Sequence, residues 1–210
     1  MIKKYRVMLI ITAIITLLPV VAGSFLWNEL PDTLATHFGA NGEPDGYSSK
    51  AFTVFGLPSI MLGVHLLCFF VTIFSPKVEN ISGKAFGIVL WVCPIISVIC
   101  CTASFSVALG WNLPFIEILI IFMGILFIAL GNYMPKCKQN YVFGIRLPWT
   151  IADEEVWNKT HRLAGFLWTV GGVAILATAF LKNFVLFISI TMIVAVVPSV
   201  YAFLLYRKRH

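Results

Sequence analysis

The chain has 210 residues, of which 60% are hydrophobic and 11% charged, and its formal net charge is +6. Soluble domains carry about 25% charged residues, so this composition, with a mean hydropathy of +0.94, excludes an ordinary soluble enzyme or nucleic-acid-binding domain. The basic residues occur in runs of three at most, as at Arg207-Lys208-Arg209, too short for a nucleic-acid-binding patch.

A bilayer core of about 30 Å takes roughly 20 apolar residues of helix. Six stretches meet that requirement: Val7–Trp27, Phe52–Phe74, Ala85–Leu109, Phe115–Tyr133, Leu163–Leu181 and Phe184–Tyr206. Their apolar runs are continuous and lack the period-two alternation of barrel strands. The expected fold is therefore all-α, a polytopic bundle of six transmembrane helices. The first run follows a basic segment, and Val21-Ala22-Gly23 loosely resembles a cleavage site. The run is long for a signal-peptide core, so it is read as a retained span.

Charge sets the expected orientation. Lys3, Lys4 and Arg6 precede span 1, and Lys77 and Lys84 separate spans 2 and 3. Lys136, Lys138, Arg146, Lys159 and Arg162 separate spans 4 and 5, and Arg207, Lys208 and Arg209 follow span 6. With both termini in the cytoplasm, these 13 of the 15 basic residues lie inside, leaving Lys50 and Lys182 outside. This is the bias that the positive-inside rule requires.

Taken in chain order, Pro19 is the first of four prolines within spans, followed by Pro58, Pro94 and Pro198; each removes a backbone donor and is expected to bend its helix. The outer loop, residues 28–51, contains Glu29, Asp32, Glu43 and Asp45, and its acidity favours a cationic ligand. Asn41-Gly42 and Pro44-Asp45-Gly46 read as turns. His37, Phe38, Pro44, Asp45 and Tyr47 are the candidate ligand contacts there. His37 with Asp32 or Asp45 is a weak pattern for a metal, and no metal site or cofactor is expected.

His65 lies about 20 Å from the outer end of span 2, counted at 1.5 Å per residue. Glu117 lies a few ångströms into span 4, so a relay between the two is not expected. The reading for His65 is a neutral ring bonded to a neighbouring helix. Cys68, Cys93, Cys100 and Cys101 fall within spans and Cys137 in the cytoplasmic loop, so no disulfide framework is expected. Gly171-Gly172 is suited to close helix approach.

The cytoplasmic loop, residues 135–162, holds the other candidate site: Asn140, Gly144, Arg146, Pro148, Trp149, Thr150, Trp157, His161 and Arg162. Thr150 followed by Asp153 reads as a capping box, with a helix starting near Ile151 and running into span 5. Glu155 and Lys159 form an i,i+4 pair, and Trp157, His161 and Ala164 share one face. Trp149 and Trp157 suit the membrane interface. Arg146 is read as pairing with an acid, a lipid phosphate or a helix C-terminus, or else as a snorkelling anchor.

Gly131-Asn132, Asn140-Tyr141, Gly144-Ile145-Arg146-Leu147-Pro148-Trp149-Thr150, Glu155, Trp157 and Arg162 together resemble the SdpI-type immunity proteins of Gram-positive bacteria, with Leu147 replacing the usual Thr. Leu30-Pro31, His37-Phe38, Gly42, Pro44-Asp45, Tyr47 and Lys50 resemble an uncharacterised family often found in front of SdpI domains. There Ala35 replaces a frequent Pro and Gly39 a frequent Asn. The resemblance implies a multi-pass cell-membrane protein in two parts, residues 1–84 and 85–210. It implies protection against a secreted membrane-active toxin peptide, with signalling through a cytoplasmic transcriptional repressor. The expected partners are the lipid bilayer, the toxin and the repressor, with no direct nucleic-acid contact. A small transporter or exporter is the alternative, and a membrane enzyme has the least support, because no nucleophile–base pair or phosphate loop is legible.

Overall fold

The computed structural model describes residues 2–39, 42–111 and 113–210. Among the described residues, seven α-helices and one hairpin follow in the order α1 (Ile2–Phe25), β1 (Thr33–Phe38), β2 (Pro44–Ser49), α2 (Leu57–Ile73), α3 (Gly83–Ala108), α4 (Phe115–Tyr133), α5 (Pro148–Ala152), α6 (Glu154–Leu181) and α7 (Phe184–Arg209). Six of the helices are long and apolar enough to cross a membrane. Their apolar side chains face outward in large numbers, Phe25 and Phe180 being more than four-fifths exposed. That is the surface a helix presents to hydrocarbon. The all-α, six-span architecture expected from the apolar runs is what the chain adopts.

The chain divides into two units, one of residues 1–73 and 89–118, the other of residues 74–88 and 119–210. In the first, Leu30, Leu34, Val54, Cys101 and Phe105 form a buried cluster just beyond the end of α1. A Cβ on Gly23 would sit 2.8 Å from Val54 and 3.0 Å from Phe105, so α1 approaches both neighbours closely. Deeper in the unit, His65 Nε2 is 2.9 Å from Thr12 Oγ1. The Thr16 hydroxyl donates to Thr12 O at 2.7 Å and Ser97 Oγ to Thr16 O at 2.9 Å. His65 is thus bonded to a neighbouring helix, as expected for a polar side chain at this depth.

At Pro58 the chain departs from regular α-helix by widening a turn. The residues just before α2, Phe52–Gly56, form a π turn in which Leu57 N–H bonds to Phe52 O. Pro58 has no N–H for the carbonyl four residues back, and widening the turn relieves the ring's clash with that carbonyl. Pro19, Pro94 and Pro198 lie inside continuous helices.

The second unit is built on paired glycines. A Cβ on Gly131 would lie 3.0 Å from Gly165 O, and one on Gly165 would lie 2.9 Å from Gly131 O. One heptad away, Gly124 faces Gly172 O at 3.0 Å and Gly172 faces Gly124 O at 2.8 Å. The seven-residue spacing keeps both pairs in one seam between α4 and α6. Gly171, adjacent in sequence, abuts Val194 of α7, where the Trp168 indole N–H also donates to Val194 O at 3.0 Å. Gly171-Gly172 therefore serves close approach on two sides. All five cysteines are free thiols.

Candidate functional site

The outer loop corrects one expectation. Pro44-Asp45-Gly46 is not a turn but the start of β2, which pairs antiparallel with β1. Gly42, at φ +83°, supplies the left-handed residue at the tip; Asn41 lies outside the described residues. The register slips on either side of His37, so that His37 stands opposite Gly46 and Phe38 opposite Pro44. His37 and Asp45 are hydrogen-bonded across the hairpin. Phe38 packs on Phe115 with ring centroids 4.6 Å apart, while Tyr47 is exposed. The five candidate contacts therefore share the hairpin, with His37, Asp45 and Tyr47 presented outward and Phe38 facing inward.

Asp32 does not join His37. It lies 3.8 Å from Lys50, whose ammonium also donates to Leu30 O at 2.8 Å and Trp27 O at 3.2 Å and sits over the Trp27 ring. Lys50 thus ties the base of the hairpin to the end of α1. Hydrogen bonds to a charged group contribute about 1.5–3 kcal/mol, so Lys50→Met is expected to loosen the hairpin by about 2 kcal/mol. The check is faster proteolysis of the outer loop in intact cells; unchanged cleavage would refute the tie.

The loop between α4 and α6, expected on the cytoplasmic side, folds into a knot around two residues. The buried Asn140 side chain accepts N–H from Val142 at 2.9 Å and Phe143 at 2.7 Å, and donates to Lys138 O at 2.9 Å and Phe143 O at 3.1 Å. An Asn that mimics backbone in this way closes a turn without a helix or sheet partner. The turn delivers Gly144 at φ +106°. Ile145 N–H then donates to His161 Nε2 at 2.9 Å, and His161 Nδ1–H donates to Trp157 O at 2.8 Å. One acceptor nitrogen and one donor nitrogen define a neutral ring with a fixed tautomer. The ring stacks on Trp157 at 3.9 Å, and the Trp157 indole donates to Cys137 O at 2.7 Å.

This arrangement corrects the reading of Trp157 as an interfacial ring: it is fully buried. The capping box is also corrected. Asp153 has extended backbone and is the N-cap of α6, accepting from Glu155 N at 2.8 Å and Val156 N at 3.1 Å. Thr150 belongs to the separate helix α5, where its hydroxyl accepts Leu147 N–H at 2.9 Å and reaches Ile145 O at 2.8 Å. Pro148 opens α5, where the missing N–H costs nothing. The Val156 N–H, then Arg209 and the Glu155 N–H, hold the Asp153 carboxyl below its ordinary range. Arg209 spans Asp153 and Glu155, and Lys159 pairs with Glu155 at 2.6 Å as expected.

The side chains of three candidate residues take no part in the Asn140 and His161 hydrogen bonds. Trp149 packs on Phe203 of α7 with ring centroids 5.3 Å apart, and its enclosed indole N–H has no acceptor among the described residues. Arg162 is exposed. Arg146 is exposed and donates to Tyr141 O at 2.8 Å; among the described residues it meets no carboxylate. Sequence reasoning missed Gln139, whose amide donates to Thr150 O at 3.2 Å and Ile151 O at 2.9 Å. Gln139 also accepts from Lys77 and Asn80. Nothing in its local sequence marks it, because its partners lie on two other segments, residues 77–80 and 150–151.

Cys137 reports on the knot. Burial pushes its thiol up to about 11, and the thiolate is the reactive form. Alkylation should be very slow at neutral pH and rise about tenfold per pH unit until the thiol ionises. Asn140→Ala should accelerate it severalfold by opening the turn, read by mass shift after timed N-ethylmaleimide exposure. Equal rates in both proteins would refute the closed turn.

Among the described residues no group of three or more His, Cys, Asp or Glu side chains is placed to hold a metal. The SdpI/YfhL protein family model matches residues 136–202, which contain the knot. A domain of unknown function, DUF1648, matches residues 14–62, which contain the hairpin. The chain is 27% identical over 206 residues to a Bacillus subtilis (strain 168) protein named immunity protein SdpI, covering 95% of this chain and 96% of that one. No solved structure matches.

Proposed function

We propose, from the premise that residues 136–202 form an SdpI-type region, that this multi-pass membrane protein protects its cell from a membrane-active killing peptide. The observation that carries this reading is the end-to-end similarity to a protein named for immunity, which includes both the hairpin and the knot. The geometry supports a division of labour. The hairpin presents Asp45, His37 and Tyr47 on the outer side, an acidic and aromatic surface suited to a cationic, amphipathic peptide. The knot holds residues 137–150 in one conformation and leaves Arg146 exposed, a fixed cytoplasmic feature on which a repressor is recruited. Transport has less support. The buried polar groups Thr12, Thr16, His65 and Ser97 are taken up in hydrogen bonds within α1 and between α1, α2 and α3.

Survival of a sensitive Gram-positive host against a panel of membrane-active peptides tests the proposal. Expression of the wild type should raise survival. Asp45→Ala combined with Tyr47→Ala should lower the peptide concentration that the cells survive about tenfold, the scale of roughly 1.4 kcal/mol of lost binding. Arg146→Ala should also weaken protection at equal membrane abundance. A wild type that protects against no member of the panel would remove the immunity reading.

A further inference from the structure

Two cations that lie 69 residues apart in sequence converge on the exposed Tyr141. Arg146 Nη1 donates to the Tyr141 carbonyl at 2.8 Å. Lys77, in the segment between α2 and α3, places its ammonium 5.8 Å from the centre of the Tyr141 ring and donates to Gln139 Oε1 at 3.1 Å. Each cation is held by neutral acceptors. Glu79, the one acid in residues 74–82 and 136–147, forms no ion pair with either of them among the described residues.

The segment that carries Lys77 is fixed in place. Lys77 has left-handed backbone, φ +58°, which a non-glycine residue rarely adopts. Asn80 Nδ2 donates to Gln139 O at 2.8 Å, joining this segment to the knot. The Gln139 amide in turn is bonded to the carbonyls of Thr150 and Ile151. The two positive charges are therefore positioned before any anion arrives, so little ordering remains to be done on binding.

We propose that Lys77, Arg146 and the Tyr141 hydroxyl form a binding site for the phosphodiester of an anionic phospholipid in the cytoplasmic leaflet. Residues 74–82 directly follow the span ending at Ile73, and residues 137–147 the span ending at Lys136, on the side where the positive-inside rule puts the cytoplasm. A guanidinium with free N–H groups, an ammonium and a phenol offer directed donors to phosphate oxygens. The anionic surface of that leaflet supplies the ligand at high local concentration. This site does not depend on the immunity reading.

The test uses the full-length protein in detergent, titrated with short-chain phosphatidylglycerol, phosphatidylcholine and glycerol 1-phosphate, with adducts counted by native mass spectrometry. The wild type should hold phosphatidylglycerol in preference to phosphatidylcholine. Lys77→Ala with Arg146→Ala should lose about thirtyfold in affinity, the scale for removing two cations near a headgroup. Tyr141→Phe should lose less, and keeps the ring if the double variant fails to fold. A control pair, Lys84→Ala with Lys208→Ala, should bind as the wild type does. Equal loss in the control pair would make the attraction diffuse and overturn the site. Unchanged binding in the Lys77/Arg146 variant would overturn it too. Glycerol 1-phosphate binding as tightly as the lipid would replace the phospholipid with a free phosphate ester.

Discussion

Gly131→Leu will prevent the last three spans from closing into their native bundle. A Cβ alone at this position would lie 2.7 Å from Thr169 N and Oγ1 and 3.0 Å from Gly165 O, contacts that include backbone atoms unable to swing aside. Separating α4 from α6 would also open the reciprocal contact of Gly165 on Gly131 O and, one heptad on, the Gly124–Gly172 pair. In hydrocarbon no hydrophobic effect compensates, because the helix surfaces that part are filled by lipid of equal apolarity. Overpacking a well-packed site costs about 1–3 kcal/mol, and a leucine inserted between two backbones should exceed that range. The expected result is loss of the monodisperse peak in size-exclusion chromatography, or a large fall in melting temperature. Gly63→Leu is the matched control, since nothing lies within 4 Å of its Cβ position. Equal stability of the two variants would show that the glycine seam is not what holds α4 to α6.

The second large effect belongs to the knot. Gly144→Val places a branched side chain at φ +106° and drives its Cβ into His161 Nε2. Left-handed strain in a non-glycine residue costs about 1–3 kcal/mol. Displacing the Ile145 N–H leaves a buried imidazole nitrogen without its donor, at about 1–3 kcal/mol more. Opening of the loop by about 3 kcal/mol corresponds to roughly a hundredfold in population, so N-ethylmaleimide should reach Cys137 about that much faster. His161→Ala removes the collision but not the strain. Gly144→Val should therefore cost less in a His161→Ala background than in the wild type, a coupling that a double-mutant cycle measures. Additive costs would mean that the two residues do not act on each other.

Both predictions rest on residues that carry little signal of their own. Gly171-Gly172 is visible as a pair of small residues, but Gly124, Gly131 and Gly165 gain meaning only from the carbonyls they face on another helix. His161 and Trp157 were placed on one helical face by their spacing, and that face is the buried one. Their bonds to Ile145 and Cys137 join positions 16 and 20 residues away, distances at which local pattern is silent. Asp153 shows the same limit on a shorter scale. Its residue type is right for either a first-turn acid or an N-cap, and the extended backbone that decides the matter accompanies the turn from α5 into α6.

The hairpin escaped the sequence because Thr33–Phe38 and Pro44–Ser49 lack a clean period of two, and the register slips at His37. A proline and a glycine within β2 read as turn residues until the pairing is known. The six apolar spans, by contrast, were legible in the sequence alone, and the charge bias gives their expected direction. Hydrocarbon requires each crossing segment to satisfy its own backbone and to be apolar for its full length, and charge bias then sets direction. These are properties of contiguous residues. The hairpin, the break before α6, the glycine seam and the burial of Trp157 depend on partners distant in the chain, and only the tertiary structure brings those partners together.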